Sequence, residues 1–228
     1  YHQVEGTRRI RSTLERFRAD VLPALQNRAS DLLVETWVSE GGCGKDEERV
    51  VEQVDRVTER PAETESETVR LLEAARAAGV QPHILELTCE AYAGVLDADG
   101  GLDYLAMLEL VGDTLAEKGR RILEARGPRG GMLAILCGAA HNDAEPGELW
   151  RTITFGPAIA KAANGAYVEI DLIVPEFVEA SEVARDEPWF PLIERVAAPD
   201  RVVLLERGER SYLLVLERGV TGAPPPAD

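Results

Sequence analysis

The chain has 228 residues, 45% of them hydrophobic and 29% charged, which suits one sizeable globular domain with its own core. A formal net charge of −16 excludes the basic surface that nucleic-acid binding needs, and a polybasic membrane anchor with it. No run of about 18 apolar residues occurs, so no integral membrane segment is expected.

The elements follow from periodicity. Residues 7–26 read as a helix, because Ile10, Leu14, Phe17, Val21 and Leu25 recur at three- and four-residue spacing. In a βα unit such a helix follows a strand, so a first strand is expected upstream of Tyr1. Leu32 to Val38 is a strand, ended by Gly41-Gly42. Residues 46–58 form a polar helix. Residues 64–78 form another, with Val69, Leu72 and Ala75 on one face and Gly79 as its stop. The acid between Asp46 and Glu67 is expected to be solvated helix surface. Pro82 opens a strand over His83–Leu87. A long helix follows over about 102–125, with Leu102, Leu105, Leu108, Leu115 and Ile122 as its apolar positions.

The run Met132 to Cys137 reads as a central strand and leads into Gly138-Ala139-Ala140-His141. Ala166–Val174 is a further strand. Residues 176–196 are partly helical, broken at Pro188 and Pro191. Val202–Leu205 and Tyr212–Leu216 flank Arg207-Gly208-Glu209-Arg210 and read as a β-hairpin. The expected fold class is α/β: a mostly parallel central sheet flanked by helices, with the hairpin adding antiparallel strands at one side. One domain is expected over residues 1–220, with a disordered tail over 221–228.

Ligands of an open α/β sheet sit at the carboxyl ends of its strands. Glu35 and His141 both fall there, and His2, just before the first helix, falls there if the upstream strand exists. A glutamate leaving an apolar strand must be paired or bound. Glu35 therefore either pairs with Arg8, Arg9 or Arg11 of the first helix, or orients a histidine or a metal. His83 lies on the opposite rim and reads as structural. Tyr167, Glu169 and Asp171 alternate along one strand, a face that is solvated or paired with Arg151, Lys161 or Arg185. Asp171 also stands as a second-rank carboxylate behind the site. Asn142 and Asp143 are placed to orient His141 or to cap a helix.

Cys137 reads as a small core residue. Cys43 and Cys89 each follow a strand, and if those strands are neighbours a disulfide between them is open. The two readings are a disulfide in an exported, periplasmic protein or two free thiols in the cytoplasm.

The pattern resembles the superfamily that joins erythromycin esterases, the haem-binding ChaN lipoproteins, and the Tiki and TraB proteins. Its signature is Gly-Glu-x-His after a first strand, an arginine in the next helix, a glutamate ending the second strand, and a later Gly-x-x-His. Gly138–His141 matches the last motif and Glu35 matches the glutamate. Tyr1-His2 would be the x-His of the first, and Arg11, with Arg8 close behind, matches the arginine. The resemblance implies a hydrolase, acting on a small-molecule or peptide substrate, with His2, Glu35, His141 and Arg11 as its active residues.

Three mechanisms stand open. A divalent metal (manganese, cobalt or zinc) held by His2, Glu35 and His141 would acidify water. A histidine base oriented by a carboxylate would act without metal, with Arg11 on the oxyanion. The ChaN branch implies haem instead, with Tyr1 or Tyr92 as axial ligand. A non-catalytic structural relative is the remaining reading. No Gly-x-Ser-x-Gly and no nucleotide-binding glycine motif occurs.

Overall fold

The structure is a computed structural model, which describes residues 10–58, 63–127 and 130–219. The first helix consists of three consecutive segments: α1 (Thr13–Arg16), a π-helical turn (Phe17–Val21) and α2 (Leu22–Leu25). Ser12 caps it, accepting the Glu15 N–H at 3.1 Å and donating to the Glu67 carboxylate at 2.6 Å. The π turn lies where Pro23 can offer no amide to the Ala19 carbonyl and its ring crowds that oxygen.

Strand β1 (Ala29–Ser39) follows, then α3 (Lys45–Thr58), α4 (Glu63–Ala77) and β2 (Gln81–Leu87). Next come α5 (Cys89–Gly94), α6 (Tyr104–Arg126) and β3 (Met132–Leu136). The three strands form a parallel sheet in the order β2-β1-β3. Its central strand buries Leu32, Leu33 and Val34 to 3% exposure or less. Such a run is apolar throughout because helices cover both faces. Leu33 packs with Val54, Met107 and Leu115 on one side. Leu32 and Val34 pack with Phe17, Leu71 and Ala75 on the other.

Two helix faces depart from the expected ones. Helix α4 buries Leu71 and Ala75 and leaves Val69 49% exposed. Helix α6 buries Met107, Val111, Leu115 and Ile122 and leaves Leu105 55% exposed. The α6 stripe is set by Gly112 and Gly119, against which Ile153 and Ile159 sit too closely for a Cβ to fit.

After α7 (Gly156–Ala162) comes β4 (Glu169–Ile173), then α8 (Pro175–Ala180), α9 (Glu182–Arg185) and α10 (Phe190–Val196). Pro191 lies in the first turn of α10, where a missing amide costs nothing, so it opens a helix where a break was expected. Strands β5 (Val203–Gly208) and β6 (Ser211–Val215) form the expected hairpin. The hairpin does not extend the first sheet. β6 pairs in parallel with β4, from Glu169↔Ser211 to Ile173↔Val215, which gives a second sheet in the order β4-β6-β5. This sheet packs on α8, α9 and α10 through Ile173, Val178, Ala184, Ile193, Leu213 and Val215.

Cys43 and Cys89, beyond the ends of β1 and β2, lie at disulfide distance, with 5.0 Å between their Cα atoms. No helix among the described residues is long and apolar enough to cross a membrane. The expected tail over 221–228 lies outside the described residues.

Candidate functional site

β1 and β3 are neighbours in register, with Val34 opposite Leu136, so Glu35 lies beside the end of β3 although β1 itself runs on to Ser39, past the carboxyl end expected there. Gly138 is extended (φ −62°, ψ 143°), and Ala139–His141 then makes a single 3₁₀ turn. That turn brings His141 to 2% exposure. The Gly138 N–H donates to Glu35 Oε2 at 2.6 Å. Glu35 Oε1 stands 3.9 Å from His141 Nε2. Two of the expected residues are therefore together. Glu35 takes the Gly138 amide and faces His141, and of the three arginines offered as its alternative partners Arg11 pairs with Asp20 and Glu217 instead, while Arg8 and Arg9 lie outside the described residues.

The far side of the imidazole decides its tautomer. His141 Nδ1 lies 2.6 Å from the Ile153 carbonyl oxygen, which can only accept. Nδ1 therefore carries the proton, and the neutral ring turns its Nε2 lone pair toward Glu35. In the protonated ring Nδ1–H meets the Ile153 carbonyl and Nε2–H faces the Glu35 carboxylate at 3.9 Å, an ion-pair distance beyond a hydrogen bond. Ile153 is in turn seated on α6, where a Cβ on Gly112 would fall 2.2 Å from its carbonyl oxygen. Gly112→Ala is expected to push this strut away, with a loss of about 1–3 kcal/mol by overpacking. Thermal melting reads the loss, and a displaced His141 ring resonance reads the lost Nδ1 bond.

Asn142 and Asp143 do not face His141. The Asn142 amide donates to Asp171 Oδ1 at 2.9 Å, and Asp143 Oδ1 lies 3.4 Å from Arg207 Nη2. Arg207 also pairs with Asp171 Oδ2 at 2.7 Å and with Glu169. Glu169, 3% exposed, further accepts from the Ala144 N–H and the Ser211 hydroxyl. The acidic face of β4 is thus paired with Arg207, not with Arg151, Lys161 or Arg185. Arg207 sits on β5, one strand beyond β6, so only the β4-β6-β5 order reveals it.

Burial pushes the Asp171 carboxyl up to about 6, the Asn142 amide pulls it back, and the Asp143 and Glu187 carboxylates add to the rise. Folded Asp171 therefore holds its proton more tightly than the unfolded chain does, where Asp releases near 4, that is about 3.9. Stability from this group is complete below about pH 4 and lost as pH rises to about 6, by about 2–3 kcal/mol at most. Arg207, 2.7 Å from Asp171 Oδ2, favours the ionised carboxyl, so Arg207→Gln is expected to extend the loss to higher pH. Denaturant unfolding between about pH 4 and 8 checks this, and superimposable stability profiles for the two proteins would refute it.

Burial, with the Glu35 and Asp171 carboxylates nearby, holds the Cys137 thiol well above its ordinary range, so it is no nucleophile at neutral pH. His83 pairs with Asp31 at 2.7 Å, as a structural residue does. Tyr92 lies in the core at 1% exposure, where burial and Glu47 raise its hydroxyl. Arg11 lies 3.4 Å from Asp20 and 3.8 Å from Glu217 and does not line the cleft described next. The buried arginine of this helix is Arg16, 2% exposed, which donates to the Glu217 carbonyl at 2.5 Å. Tyr1, His2 and Arg8 lie outside the described residues.

A cleft of about 2140 Å³ reaches this rim, lined there by Glu35, Gly138, His141 and Asp171 and farther in by Phe17, Leu136 and Ile159. Glu35 and His141 supply two of the donors a divalent ion would take, and no group of three His, Cys, Asp or Glu gathers for a metal among the described residues. Comparison with protein-family models, curated proteins and solved structures gives no match.

Proposed function

We propose that this chain is a hydrolase-like domain in which Glu35 and His141 direct water onto an ester or amide carbonyl. The observation that carries the reading is the pairing of His141 Nε2 with Glu35 Oε1 at 3.9 Å, by two residues that both line a large cleft. The ring takes the proton of an attacking water at Nε2 as oxygen bonds to the carbonyl carbon. The imidazolium so formed is held between the Ile153 carbonyl and the Glu35 carboxylate. Nε2 then returns the proton to the departing oxygen or nitrogen. A divalent ion held by Glu35, His141 and His2, as the resemblance implies, would supply a more acidic water at the same place.

The test is hydrolysis of ester and peptide panels, with and without manganese, cobalt or zinc. Activity unchanged in His141→Ala ends the proposal. The haem-binding alternative predicts a Soret shift on adding haem that Tyr1→Phe removes, since Tyr92 is enclosed in the core. The Cys43–Cys89 pair supports an exported protein, because such bonds persist in oxidising compartments.

A further inference from the structure

We propose that the cleft between β3 and β4 seats one further β-strand, supplied by the polypeptide that leads into Tyr1, and that this strand joins the two sheets into one. β3 is the last strand of the order β2-β1-β3, and β4 is the first of β4-β6-β5. Among the described residues each therefore has one paired edge and one open edge, and residues of both line the cleft. Open strand edges present unpaired N–H and C=O groups in register for another strand.

Exposure marks the same gap. A parallel strand between helical layers is normally buried on both faces, as β1 is. Every residue of β3 is partly or fully exposed, Met132 to 46%, while Val168 and Ile170 at β4 are 51% and 45% exposed. The walls beyond the edges carry apolar side chains on both sides, Leu14, Phe17 and Val21 of the first helix on one and Phe155 and Ile159 on the other, with Glu35, Lys161 and Asp171 also in the lining. Alternate side chains of a strand point to opposite faces. The occupant is therefore apolar at nearly every position and about five or six residues long, to match β3 and β4.

The point of entry selects the occupant. Ile10 packs against Val174, Phe177 and Leu216, just past the ends of β4 and β6. Arg16 fixes the next turn to the Glu217 carbonyl. The chain thus enters its first helix beside the cleft, and the connection Tyr1–Arg9 can reach about 30 Å. A second copy is a poorer occupant, since each chain carries a net charge of −16 and two would repel. The inference stands apart from the hydrolytic reading and survives its failure.

Hydrogen exchange tests it on the β3 and β4 amides that bond neither β1 nor β6. These are compared in the chain as given and in the chain carrying its gene-encoded residues ahead of Tyr1. Extension is expected to slow them by about 100-fold. Ile170→Lys, a position already exposed in the chain as given, is expected to restore fast exchange in the extended protein while the fold is retained. Equal exchange with and without the extension overturns the proposal, whether slow or fast in both. Slowing of the unextended chain that grows with its concentration overturns it in favour of a second copy. Equal slowing of the unextended chain by an unrelated apolar peptide overturns it in favour of peptide capture.

Discussion

His141→Ala is expected to lower ester or amide hydrolysis by about 10²–10⁴-fold, the usual contribution of a positioned acid–base group. Alanine also leaves the Ile153 carbonyl without its donor, at a loss of about 1–3 kcal/mol in stability. The catalytic and structural effects must be separated, and His141→Asn does so. Its side-chain amide can still donate toward Ile153, but it has no basic nitrogen to take a proton from water. Activity should fall as far as in the alanine variant while more of the melting temperature is kept. Glu35→Gln retains an acceptor for the Gly138 amide, 2.6 Å away, and removes the charge facing the imidazolium. A smaller loss is expected, about tenfold or more in kcat/KM, with the fold intact. If His141→Asn keeps wild-type turnover on every substrate the protein cleaves, the histidine is structural and the site lies elsewhere.

The first sheet is legible because its strands are apolar runs. Leu32-Leu33-Val34 is unbroken and enclosed on both faces, as such a run requires, and Met132–Leu136 is a second unbroken run although β3 stays partly exposed. Glu35 stands out for the complementary reason, as a charge that ends one of these runs. His141 stands out because Gly138 stops the other. What holds His141 is not legible. Ile153 and Gly112 meet 41 positions apart, so closely that a Cβ on Gly112 would fall 2.2 Å from the Ile153 carbonyl oxygen, and no local pattern encodes that approach. Arg207 escapes for the same reason, since strand order brings it to Asp171 across 36 positions.

Strand order is also why the hairpin's partner is not legible. Alternation says that β5 and β6 are antiparallel, whereas the choice between β3 and β4 as their neighbour is made by tertiary packing. Helix faces fail more gently. Val69 and Leu105 fit an apolar stripe as well as Leu71 and Met107 do, and burial of the latter pair is decided by what lies opposite. Arg11 and Arg16 differ likewise, because the Glu217 carbonyl that takes Arg16 lies 201 positions away.

Removing the Cys43–Cys89 link is expected to give the largest change in stability. The two cysteines are 46 positions apart, and closing a loop of that length takes about 4 kcal/mol of entropy from the unfolded chain. The loop encloses α3, α4 and β2, so its release frees the strand that flanks β1 together with two of its covering helices. At about 2–4 °C per kcal/mol for a chain of this size, Cys43→Ser with Cys89→Ser should lower the melting temperature by roughly 8–16 °C. A reductant should lower the wild type equally and leave the double variant unmoved. Cys137 does not confuse the comparison, since its half-buried, poorly ionised thiol is a weak partner for exchange. Thiol alkylation in denaturant supplies the independent count: one reactive thiol before reduction and all three cysteines after it. If all three react before reduction in protein taken from its native compartment, the link is absent there and the argument for export fails with it. If only one reacts, the bond was made where glutathione does not reach, and a hydrolase at Glu35 and His141 would meet substrates outside the cytoplasm.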